Sequence, residues 1–129
     1  MKYVAFAAVV IFVALGNIAQ AEDAKLRDLE SRLDSALTQT DMNIASGDIA
    51  KYLDKKVISK EQEIIKDLDP EGLRLFKEAS KLWRAYRLSQ VSFEGDLYRG
   101  GSIQSLIHNR VFARITRERY EALSKIMEP

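Results

Sequence analysis

Trp83, Tyr86 and Arg87 stand at positions i, i+3 and i+4, which on a helix is a single face. An indole, a phenol and a guanidinium gathered there could form a platform for a sugar ring, with a cation for a carboxylate. The same three could instead anchor a core, the polar tips of Tyr86 and Arg87 being satisfied by neighbouring chain. A small domain with one tryptophan favours the second assignment, because it needs large apolar burial. Arg87 taken out of water then needs a partner, and Glu94, Asp41 and Gln39 are the candidates. Gly100-Gly101-Ser102, with Arg99 beside it, offers backbone amides to an anion. It lacks the preceding strand and the Gly-Lys-Ser/Thr ending of a phosphate loop, and a turn followed by a helix capped by Ser102 accounts for it. Beyond that turn Thr116 and Arg119 share a face, and Arg110, Arg114 and Arg117 form a basic row of the kind usually found on solvated faces.

Several chemistries are ruled out by residue type. The chain has no cysteine, so neither a thiol nucleophile nor a thiolate metal site is available. His108 is the sole histidine, too little for the common zinc sites or for a nucleophile–base pair. Carboxylates are plentiful, but no pair such as Glu94 with Asp96 is singled out for glycosidase work. The expectation is a protein that is not an enzyme and carries no cofactor and no metal. Acidic and basic residues nearly balance, at a formal net charge of +1, so no concentrated positive surface marks a nucleic-acid partner. The charge is uneven along the chain, acidic in the first half and basic in the second, where eight arginines cluster. Such a division is expected of complementary helices.

The elements that must position these residues are helical throughout. Leu26, Leu29, Leu33 and Leu37 form one apolar stripe, predicting a helix over residues 22–37. Thr38 and Asp41 resemble a capping box and open a second helix from Gln39 to about Leu68. Gly47 lies inside it and its apolar spacing loosens, predicting a kink or break near residues 57–59. Asp69-Pro70-Glu71 is a strong start signal for a third helix: a capping carboxylate, a proline suited to the first turn, and an acid at the positive end of the dipole. It should end near Gly95, and a last helix should present Ile103, Leu106, Ile107, Val111, Ile115 and Leu123. The fold class is all-α, a small bundle of about four helices whose C-terminal pair forms a hairpin around Gly100-Gly101-Ser102.

The first 21 residues read as an address. Lys2, an apolar run over residues 4–15 and Ala19-Gln20-Ala21 give the three parts of a secretory signal peptide, with cleavage expected after Ala21. The run is short for a membrane span, which needs about 20 residues, so an uncleaved anchor is the lesser alternative. The expected product is a single periplasmic domain over residues 22–129 with no stable membrane insertion. Exported domains of this size often rely on disulfides, and this one must be held by its core alone.

The ordered set Thr38-Gln39-Thr40-Asp41-Met42-Asn43, Trp83-x-x-Tyr86-Arg87, Gly100-Gly101-Ser102-Ile103 and Ile115-Thr116-x-x-Arg119 resembles, over about residues 26–126, the LprI family of small bacterial envelope proteins named for a lysozyme inhibitor. The resemblance implies an exported helical domain and, for the named member, inhibition of lysozyme. It also implies a shared framework of Gln39, Met42, Asn43, Trp83, Tyr86, Arg87, Gly100, Gly101, Ser102, Thr116 and Arg119. Family members commonly carry cysteines at positions that fall here on Ala45, Val91 and Val111, all suited to packing instead. Asp41 replaces a preferred glutamate, and residues 49–67 lack the family's Leu-Asn and Tyr landmarks. The leading expectation is a non-catalytic binding protein whose partner is another envelope protein, a lysozyme or peptidoglycan hydrolase, met by Asp96, Tyr98, Arg99 and Ser102. Tyrosine and arginine are frequent interface anchors, and an acid suits a basic enzyme cleft. The alternatives are a small-molecule or peptidoglycan-fragment module using Trp83, Tyr86, Arg87 and Arg119, and a structural envelope protein.

Overall fold

The computed structural model describes residues 24–128; the segment expected to be a signal peptide lies outside them. Four helices and no strand make up the described residues: α1 (residues 24–34), α2 (Gln39–Ile65), α3 (Pro70–Asp96) and α4 (Gln104–Ile126). None of them is long and apolar enough to cross a membrane.

The starts of α2 and α3 follow the sequence signals. Thr38 is extended, its hydroxyl accepts from the Asp41 backbone N–H at 3.0 Å, and it donates to the Asp41 carboxylate at 2.7 Å. Asp69 accepts from the Gly72 N–H at 2.7 Å, ahead of Pro70 in the first turn. The bonds from the Asp41 and Gly72 N–H groups each satisfy one of the donors that a helix start leaves open. Replacing Asp69 by alanine should cost about 1 kcal/mol, or roughly 5 °C in melting temperature, read by thermal circular dichroism. A melting curve unchanged from the parent would show that Pro70 and Glu71 alone set the start of α3.

Two expectations are corrected. The second helix does not kink near Val57: α2 is continuous for 27 residues. Val57 is fully buried and clusters with Ile64 and Leu123, while Ile49 and Leu53 pack with Leu29 of α1. This continuous buried face outweighs the local cost of Gly47. Nor does Ser102 cap the last helix. The cap position is Ile103, without a side-chain bond, and Ser102 is exposed. Backbone turns do that work, from Gly101 N–H to Tyr98 C=O and from Gln104 N–H to Gly101 C=O.

Short connections make α2 and α3 antiparallel, and likewise α3 and α4, so α2 and α4 run parallel. Asn109 meets Asn43 and Ser46 at one end of that pair, and Lys56 lies over Tyr120 further along. Helix α4 is central, packing along both α2 and α3. Helices α2 and α3 stand further apart, and arginine–carboxylate pairs span the gap between them. One apolar cluster lies between α1, α2 and α4, and a second joins α2, α3 and α4, with Phe76, Trp83 and Tyr120 at its edge.

Candidate functional site

The first candidate is the framework around Trp83. Arg87 is buried, and its Nη1 donates to Asp54 of α2 at 2.7 Å and to the Thr116 hydroxyl of α4 at 3.0 Å. Its guanidinium also lies over the rings of Trp83 and Phe112, 4.5 and 3.9 Å from their centres. The partner is therefore Asp54, and none of Glu94, Asp41 or Gln39. Glu94 faces α4 instead, where it accepts from Arg114 at 2.6 Å and from Gln90 at 3.0 Å. Those bonds hold its carboxyl below the usual carboxylate range, with Arg114 the larger cause. Arg84 forks onto Glu61 of α2 at 2.7 and 3.1 Å. Arg119, from α4, reaches the Ser80 hydroxyl at 3.3 Å and lies over Trp83 at 5.5 Å, while its buried Nε finds no partner. Burial pushes its pKa below the ordinary arginine value. Three arginines thus surround one indole, and α2 supplies two of them with carboxylates.

This arrangement brings Trp83, Arg87, Thr116 and Arg119 together. Tyr86 is left out: it is 56 % exposed and makes no bond to the cluster around Trp83 in the described structure. The Gln39–Asn43 pair lies at the far end of α2, where Gln39 donates to Asn43 at 2.9 Å and the Asn43 carbonyl accepts from Asn109. Met42 is half-buried beside it. Sequence reasoning missed Asp54, Glu61, Ser80 and Phe112. Asp54 and Glu61 carry a usable signal, since acids seven residues apart on one helix face suit arginines on a facing helix. With Arg87 held on both sides and Tyr86 outside, the cluster is built to hold three helices in register.

The second candidate is the loop joining α3 to α4. Leu97, Tyr98, Arg99 and Ile103 are exposed there, as are Gly100, Gly101 and Ser102. The loop is nonetheless fixed. Tyr98 and Arg99 N–H groups donate back to Gly95 and Asp96, and Gln104 Nε2 donates to the Gly95 carbonyl at 3.3 Å. Gly100 sits at φ 75°, a left-handed conformation that costs other residues about 1 kcal/mol or more. Arg99 forks onto Asp96 with two bonds of 2.7 Å, so these charges cancel locally and the exposed edge is largely apolar and phenolic. The loop closes against α4 because Gly95 is buried against His108. No group of three or more histidine, cysteine, aspartate or glutamate side chains that could hold a metal forms among the described residues.

No curated protein and no solved structure matches the chain. The family model described as lysozyme inhibitor LprI matches residues 18–123, spanning α1 through most of α4 and including both the arginine framework and the loop. On that match the chain belongs to the LprI lysozyme-inhibitor family.

Proposed function

We propose that the protein is exported by its first 21 residues and acts, without catalysis of its own, as an inhibitor of a lysozyme or related peptidoglycan hydrolase in the periplasm. The contact surface is the α3–α4 loop, with Asp96, Tyr98, Arg99 and Ser102. Family membership supports the inhibitor class. The observation that carries the choice of surface is the loop's rigidity combined with its exposure: backbone bonds and Gly100 fix it before any partner arrives. A preformed contact avoids the entropy cost of ordering a loop on binding. Tyr98, a large rigid side chain 45 % exposed at the tip, is the expected anchor.

The test is muramidase activity with the purified protein in excess, using lysozymes of several classes. Inhibition of at least one class is expected, and Tyr98→Ala should weaken it at least tenfold, a loss of about 1.4 kcal/mol. Lysis unaffected in every class would remove the inhibitor reading, and inhibition indifferent to Tyr98→Ala would move the contact off the loop. A peptidoglycan-fragment pocket at Trp83 is less well supported, because Asp54 and Thr116 already occupy Arg87 and Tyr86 is exposed outside the cluster.

A further inference from the structure

Helix α3 has a second apolar face that its own chain leaves open. Leu75, Leu82, Tyr86, Phe93 and Leu97 are each more than half exposed. Drawn on a helix at 3.6 residues per turn, they fall within an arc of roughly 60°. Their spacing is not that of scattered surface residues. With Ala79 and Ser89, the positions 75, 79, 82, 86, 89 and 93 alternate steps of four and three, the seam of a coiled coil. The buried face of α3, with Phe76, Ser80, Trp83, Arg87 and Gly95, is a different one.

We infer that this seam pairs with a second copy of itself, antiparallel, about a two-fold axis level with Arg84 and Ala85. In that register the large seam residues between Leu75 and Phe93 meet one another: Leu82 opposes Tyr86 of the second copy, and Leu75 opposes Phe93. Ala79 and Ser89 meet as a small layer, so the helices can approach closely. The ends of the seam decide the direction. Glu71 and Arg74 form an ion pair at one end, and Asp96 and Arg99 form one at the other. Antiparallel pairing sets Glu71 against Arg99 of the second copy and Arg74 against Asp96, opposite charges at all four crossings. Parallel pairing would set each of these residues against its own copy, like against like, which is unfavourable. A two-fold contact of this kind is self-complementary by construction.

The seam is about 33 Å long and one helix wide, covering on the order of 600 Å² per copy, near the lower end for a specific interface. A dissociation constant on the order of 10 µM is expected of so small a contact. Tyr98 lies off the seam, whereas Asp96 and Arg99 take part in both contacts. Self-pairing is read by sedimentation without a hydrolase, so its failure is distinguishable from that of the inhibitory reading.

Sedimentation velocity on the purified protein, over concentrations from about a tenth to about ten times that constant, should show a reversible monomer–dimer equilibrium. Leu82→Glu and Phe93→Glu, both at exposed positions, should each weaken it more than tenfold with the helical circular dichroism unchanged. The natural absence of cysteine allows a test of direction with a short bismaleimide. Ala85→Cys should cross-link between copies, whereas Ala79→Cys should not, because the antiparallel register sets the two 79 positions about 15 Å apart along the seam. A monomer throughout the range, or cross-linking at position 79 as readily as at 85, overturns the proposal. So does a monomer whose seam variants lose inhibition of a hydrolase, or lose binding to phosphatidylethanolamine–phosphatidylglycerol vesicles; either result assigns the seam to that occupant.

Discussion

Asp54→Ala should destabilise the protein by about 3 kcal/mol, the largest loss expected from removing any one charge. The substitution leaves Arg87, whose side chain is only 10 % exposed, with a hydroxyl from Thr116 and two aromatic faces but no counter-charge. A guanidinium cannot shed its proton to escape that position. The figure sits at the low end for a broken buried pair because Asp54 itself is 30 % exposed and water can enter when its carboxylate is gone. The contrast is Glu30→Ala, which removes the partner of Arg117 where both side chains are 40 % exposed or more. That change should cost under about 1 kcal/mol and vary with salt. The double change Asp54→Leu with Arg87→Met should recover much of the loss, since replacing both partners by apolar groups removes the stranded charge. Urea unfolding of the four proteins measures all of this. A loss below about 0.5 kcal/mol for Asp54→Ala would mean that Arg87 reaches water and that the framework around Trp83 is not a buried one.

Gly95→Leu should cost a similar amount, about 3 kcal/mol, by overpacking. Within a helix, replacing glycine by a better helix former ordinarily gains up to about 1 kcal/mol, so local propensity predicts the opposite sign. Tertiary contact reverses it: a β-carbon at position 95 would overlap the imidazole of His108. The ring lines a groove with Val91, Asn109 and Phe112 into which it can swing partway, so a lone methyl is better tolerated than a branched side chain. Gly95→Leu combined with His108→Ala should recover more than half the loss in urea unfolding, because the obstructing ring is gone. No recovery would show that the α3–α4 backbones, rather than the ring, set the spacing. The same contact anchors the loop carrying Tyr98, so Gly95→Leu should also weaken any inhibition while leaving Tyr98 in place.

The starts of α2 and α3 were legible because their causes are local. Thr38 and Asp69 cap the amides three residues ahead of them, and both the donor and the acceptor lie within one turn of sequence. Leu26, Leu29 and Leu33 of α1 were legible for the same reason, as a single stripe with charged neighbours. Leu37, expected in that stripe, lies beyond the helix end at residue 34 and is 92 % exposed. Helix α3 was harder, because it carries two apolar faces. Phe76 and Trp83 go inward while Leu75, Leu82 and Tyr86 go outward, and periodicity alone cannot rank two stripes of similar strength. Tyr86 was grouped with Trp83 by spacing, yet the core is centred further round the helix and leaves the phenol exposed. Continuity of α2 was equally hidden, since the burial that offsets Gly47 comes from α1 and α4.

By itself the sequence determined the all-α class, the starts of α2 and α3, the absence of thiol chemistry and the family pattern, because each rests on residue type or on neighbours within a few positions. Only the tertiary structure decided which cation meets which anion: Arg87 finds Asp54 33 positions away, and Arg84 finds Glu61 across the same gap. It also decided that Gly95, beside which α3 ends, is a contact with His108, that Ser102 is left exposed, and that one flank of α3 remains uncovered. The physical reason is common to all four. Each depends on how two helices approach and rotate against one another, and that geometry is set by summed burial over the whole bundle rather than by any local run of residues.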